Sequence, residues 1–149
     1  MSTEVPFRIL PRVGKRNEHY WHGGRDGELR FQRCADCGYY LHPPTVLCPL
    51  CHSKNIVIEA VSGKAEILTF TINYQPWMPG LEVPFVLAVV RCLEQDDLRI
   101  TTNIVGCDPE EVKIGMPVKV IFEAHEDEEV WIPLFTPDES GVHEFIGFL

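Results

Sequence analysis

The chain has 149 residues, 45% of them hydrophobic and 23% charged, with a formal net charge of −9. A chain of this length and composition is expected to fold as one globular domain, or as a domain plus a small module, and to bury a real core. It contains no apolar run long enough for a membrane-spanning helix, and an acidic chain is a poor general ligand for nucleic acid.

The charge divides unevenly. Residues 1–55 carry eight Lys/Arg against five Asp/Glu, a net of +3, and residues 56–149 carry five against seventeen, a net of −12. Met1-Ser2-Thr3-Glu4-Val5-Pro6 has no basic segment leading into an apolar stretch, so a cytoplasmic location is expected. Residues 1–28 form an arm, extended around Pro6 and Pro11, and then a short helix. Asn17 is placed to cap that helix, and Gly23-Gly24 to end it. Leu29–Arg33 alternates as a strand entering Cys34.

Residues 29–55 contain Cys34-x2-Cys37-x10-Cys48-x2-Cys51. Two such knuckles joined by a hairpin, here with His42-Pro43-Pro44 at its tip, bring four thiolates around one tetrahedral ion. Four thiolates leave no open position, so the site is structural, with zinc expected; spacing alone also admits iron, and in an oxidising compartment two disulfides. Gly38 suits the first knuckle, while His52 stands where the second would favour glycine. Cys92 lies in an apolar run as a core residue, and Cys107 in a loop.

Residues 56–136 alternate as strands. Residues 56–74 are expected to form one long strand, bent or bulged at Gly63, with Leu68, Phe70, Ile72 and Tyr74 on one face. Residues 84–93 are apolar enough for burial on both faces. Strands over 98–105, 118–124 and 130–135 follow, with a helical turn capped by Asp108-Pro109 and an acidic, solvated tip at 126–129. The predicted fold is mainly β: a short helix, a zinc ribbon and a five-stranded OB-type barrel. Residues 137–149 are a tail with an apolar end.

A specific string runs through the chain: Tyr20-Trp21, Gly27-x-Leu29, Arg33-Cys34-x2-Cys37-Gly38, Pro43-Pro44, Cys48-Pro49-x-Cys51, Val61-Ser62-Gly63 and Ile114-Gly115-Met116-Pro117-Val118. With it, the chain resembles an acyl-CoA-associated family, long catalogued as a domain of unknown function, that joins a rubredoxin-like ribbon to an OB-fold. The resemblance implies a non-catalytic accessory subunit paired with a thiolase-fold aldolase or thiolase, acting near coenzyme A thioesters in steroid or other lipid degradation. A hot-dog-fold enoyl-CoA hydratase is the alternative partner. The residues themselves add Arg25, Arg30, Arg33 and Lys54 as candidates for CoA phosphates, and Tyr20, Trp21, Trp77, Met78 and Pro79 as candidates for a partner surface. A nucleic-acid module is disfavoured by the acidic barrel half, and a self-contained hydrolase or lyase by the lack of a nucleophile motif. No catalytic residue is assigned.

Overall fold

The computed structural model describes residues 8–139. The described chain begins with the helix α1 (Glu18–His22), which continues as a 3-10 turn over Gly23–Asp26. The strands are β1 (Leu29–Cys34), β2 (Tyr40–Leu41), β3 (Ile56–Val61), β4 (Lys64–Asn73), β5 (Phe85–Cys92), β6 (Arg99–Ile104), β7 (Pro117–His125) and β8 (Val130–Pro137). β2-β1-β3 form one antiparallel sheet, and β4-β5-β6-β8-β7 close a barrel. The expected ribbon and five-stranded OB-type barrel are both present.

The expected continuous strand over 56–74 is two strands. β3 pairs with β1 in the ribbon sheet, from Leu29↔Val61 to Cys34↔Ile56, and β4 opens the barrel. Gly63 makes the corner between them at φ 80°, and a Cβ there would lie 2.5 Å from Val120 Cγ1. The bulge lies further on, where the register with β5 slips between Ile67 and Thr69. It carries the core face from Ala65 and Ile67 to Phe70 and Ile72, so Leu68 does not share that face as expected.

β5 was expected to bury both faces. It buries Val86, Ala88, Val90 and Cys92 inside the barrel, and turns Leu87 outward at 42% exposure. A closed barrel has one interior, so even an apolar strand obeys the two-residue period.

The N-terminal segment also departs from its expected caps. The Asn17 side chain accepts from Gly14 N at 2.8 Å and donates to Arg12 O at 3.1 Å, and so serves the preceding turn. The α-helix does end at Gly23 as expected, but the path runs on as the 3-10 turn, which Gly27 closes at φ 71°. Gly24 is needed for close approach, because a Cβ there would sit 2.4 Å from Trp131 Cβ and 2.6 Å from Phe122 Cδ1. Asp108 caps its turn as expected, accepting from Glu110 N at 3.0 Å. The acidic residues 126–129 form the exposed tip between β7 and β8.

Ribbon and barrel share a core. Tyr20, Leu29, Phe31 and Tyr40 pack in one cluster with Ile67, Val90, Val118 and Phe135. The turn after β5 grips β2 from the other side. Gln95 Oε1 accepts from Tyr40 N at 2.9 Å, and Gln95 Nε2 donates to Tyr40 O at 2.9 Å.

His42 is stacked into this junction, with ring centroids 4.8 Å from Tyr20 and 5.0 Å from Phe31. Its Nδ1 is buried without a hydrogen-bond partner among the described residues. Burial, with His19 adding like charge, lowers its pKa to about 4. In the unfolded chain it titrates near 6.5, so between these values the unfolded state takes the proton first. The stability given by the neutral ring is therefore complete above the unfolded value and is lost as pH falls toward the folded one. Relative to His42→Phe, the wild type should lose about 2 kcal/mol between pH 6.5 and pH 5 in urea unfolding; equal pH slopes would contradict the buried neutral ring.

Candidate metal centre and partner surface

Cys34 ends β1, and Cys37 and Gly38 follow in a tight turn whose Gly38 N–H bonds Cys34 O at 2.9 Å. The second knuckle repeats this closure, with His52 N donating to Cys48 O at 2.9 Å. Gly38 and His52 both take left-handed conformations, at φ 82° and 62°. The second knuckle thus pays the left-handed cost on a histidine, and His52 lies outside the group that could hold an ion.

The sulfurs of Cys34, Cys37, Cys48 and Cys51 lie within 4.8 Å of one another, with Cys34–Cys51 and Cys37–Cys48 each at 3.5 Å. Tetrahedral zinc with bonds of about 2.3 Å places its sulfurs about 3.8 Å apart, so the cluster fits such an ion. Amide donation from Cys37 lowers the Cys34 thiol; at Cys48 burial works the other way, but amides of Cys51 and Leu50 prevail and lower it too. Cys34 and Cys48 thus lean toward thiolate, whereas Cys37 and Cys51, despite amide donation from Tyr39 and Ser53, are raised by burial and by hydrogen bonds with the neighbouring sulfurs; metal binding requires all four as thiolates. Burial drives Cys92 up to about 12, which leaves it an inert core thiol, and burial also raises Cys107.

The basic candidates do not converge. Arg25 lies 4.8 Å over the Trp131 ring and 3.5 Å from Glu129. Arg30 pairs with Asp26 at 2.8 Å and Glu28 at 2.9 Å. Arg33 pairs with Glu59 at 2.6 Å and covers the Tyr40 ring at 4.5 Å. Arg30 and Arg33, three apart on β1, project from opposite faces of the strand. Lys54 is exposed beyond the second knuckle.

The aromatic and loop candidates separate into core and surface. Tyr20 is a core residue, 7% exposed, with ring contacts to Trp21, Phe31 and His42. Trp21 is half-buried and lines a groove of about 350 Å³ with Arg8, Ile9, Pro11, Met78, Leu81 and Ile132. Beside Met78 on the same loop, Trp77 is 72% exposed, its Nε1 donating to Asn73 Oδ1 at 2.9 Å, and Pro79 is exposed.

The arm's part in this groove was not anticipated. Arg8 crosses the barrel, donating to Glu123 Oε2 at 3.1 Å on β7 and to Asn103 Oδ1 at 3.2 Å on β6. Burial opposes the Glu123 charge, but hydrogen bonds from Arg8 and His125 hold its carboxyl below the ordinary range. These residues are over 90 positions apart, and no local pattern links them.

Residues 21–57 match the ChsH2 rubredoxin-like zinc ribbon domain, and residues 59–123 match the ChsH2 C-terminal OB-fold domain. A solved structure described as the Ltp2-ChsH2(DUF35) aldolase superposes with a TM-score of 0.75 at 31% identity, covering 86% of this chain and 98% of the matched one. The chain belongs to the ChsH2 (DUF35) family. Within that family it is 33% identical, over 68% of its length and 74% of the relative's, to a DUF35 domain-containing scaffold protein of Pyrococcus furiosus. It is also 33% identical to the 3-oxo-4,17-pregnadiene-20-carboxyl-CoA hydratase alpha subunit of Mycobacterium tuberculosis, over 88% of this chain. The chain spans 40% of the length of that hydratase subunit. Among the described residues, no helix is long and apolar enough to cross a membrane.

Proposed function

We infer that this chain is a non-catalytic partner subunit that completes a cytoplasmic complex with a thiolase-fold aldolase or thiolase acting on acyl-CoA, in steroid side-chain or related lipid degradation. The observation that carries this reading is the match over 98% of the corresponding chain of the aldolase structure. The chemistry of the chain supports it. Its four thiolates leave an ion no open position for a substrate, and Glu123 and Glu59 are committed to Arg8 and Arg33. The ion assigned to the ribbon is zinc, whose filled d shell accepts a tetrahedral thiolate cage and performs no redox chemistry.

The partner surface assigned here is the Trp77-Met78-Pro79 loop together with the Trp21 groove, an aromatic and apolar patch of the kind found at interface centres. The thioester is assigned to the assembled interface, since Arg25, Arg30 and Arg33 are already paired with carboxylates of this chain. A second reading, with a hydratase as partner, draws on the hydratase alpha subunit matched over part of its length. In titrations against a thiolase-fold aldolase subunit, Trp77→Ala and Met78→Ala should each raise the dissociation constant about tenfold or more with metal content unchanged. Unchanged affinity in both variants would remove the loop from the interface, and binding only to a hydratase subunit would replace the first reading by the second.

A further inference from the structure

β3 pairs with β1 along one side and forms the open edge of the ribbon sheet on the other. Its neighbours fix which main-chain groups face outward. Asn55 O accepts from Ala35 N at 2.8 Å, whereas Cys34 N turns the other way, to Tyr39 O at 2.8 Å. In the antiparallel ladder, residues 57, 59 and 61 therefore bond toward β1, and the N–H and C=O of Ile58 and Ala60 point away from it.

Exposed edges are ordinarily guarded by Lys, Pro, a bulge or an inward charge. β3 has none of these. Its pairing with β1 is unbroken, and Glu59, its one charged residue, is tied to Arg33 and to the Tyr40 hydroxyl. Val57 and Ile58 are each 47% exposed.

We propose that β3 pairs antiparallel with β3 of a second copy of this chain, across a two-fold axis at Ile58, joining the two ribbon sheets into one. Of the registers that bring the outward main-chain groups together, those centred on Ile58 and on Glu59 overlap the strand most fully. A register centred on Glu59 sets Glu59 against Glu59 and Lys54 against Lys64, which is unfavourable. The register centred on Ile58 sets Ile58 against Ile58 and Ala60 against Ile56, whose N–H is bonded to Lys54 O of its own chain at 2.9 Å, so that pair supplies one hydrogen bond and the Ile58 pair two. It also brings Lys54 opposite Ser62, whose N–H is bonded to the Glu94 carboxylate at 3.0 Å. The other oxygen of that carboxylate is buried, so Lys54 of the second copy meets the oxygen that Ser62 N–H already holds. Each edge thus carries a cation at one end and a carboxylate at the other, and a two-fold axis brings unlike ends together. This self-complementarity selects a second copy over a foreign strand. An edge of six residues is small beside the interfaces of permanent dimers, so the association is reversible.

Analytical ultracentrifugation of the metal-loaded chain, from micromolar to millimolar concentration, tests this without any partner. The mass should rise from 17.0 kDa toward twice that value with concentration. Ile58→Lys, at an exposed edge position, should raise the dimer dissociation constant at least about tenfold. Lys54→Glu, entirely on the surface, should weaken the dimer by several-fold and remove its salt dependence. A chain that stays monomeric throughout, or a dimer indifferent to Ile58→Lys, would overturn the proposal. A monomer whose partner binding is lost in Ile58→Lys would assign the edge to a foreign strand and overturn it equally.

Discussion

Cys48→Ser is expected to release the bound ion and unfold the ribbon, at a cost above about 4 kcal/mol. Cys48 is fully buried, and the cluster around it contains only two other buried residues, Cys34 and Leu41, flanked by Tyr39 and Ile56. So small a core cannot offset the entropy of ordering two knuckles and the loop between them; the ion–thiolate bonds must do so. Metal analysis and urea unfolding check this together. Cys107→Ser is the control: its thiol is half-exposed and outside the cluster, and the change should stay within about 0.5 kcal/mol. Retained metal and native stability in Cys48→Ser would contradict the four-cysteine centre.

Phe31→Ala should cost about 3–5 kcal/mol. Phe31 is fully buried on β1, with ring contacts to Tyr20 and His42, and belongs to the cluster that includes barrel residues Ile67, Val90 and Phe135. Truncation leaves a cavity where helix, ribbon and barrel meet, bounded by the β1–β3 ladder and by Gln95, which limits collapse. The shared core also predicts one cooperative transition for ribbon and barrel in wild type, read by both fluorescence and circular dichroism. A cost below about 1 kcal/mol, or two separate transitions, would show that ribbon and barrel fold independently.

Much of this molecule is legible in its sequence because the signals are local. Cys-x2-Cys spacing specifies a knuckle by itself, and Asp108-Pro109 specifies its own cap. Period-two alternation marks strands but does not say which strand each one joins. That is why residues 56–61 were expected in the barrel and lie in the ribbon sheet, with Gly63 turning the corner between sheets. Gly23-Gly24 resembles a helix stop, yet Gly24 is small because Trp131, more than 100 residues away in sequence, presses against it. The basic residues illustrate the same limit. Composition shows Arg25, Arg30 and Arg33, but only the fold shows that each has a carboxylate partner. Of the aromatic pair, Tyr20 went to the core and Trp21 to the groove, a choice set by which way a helix of five residues faces the barrel.

The partner-subunit reading meets its most direct test in affinity purification of the tagged chain from its own host, with quantitative mass spectrometry and an acyl-CoA turnover assay on the eluate. The account predicts an equimolar thiolase-fold subunit, turnover by the complex, and none by the chain purified alone. Robust acyl-CoA turnover by the pure chain, or co-elution with nucleic acid that survives moderate salt in place of such a subunit, would contradict it.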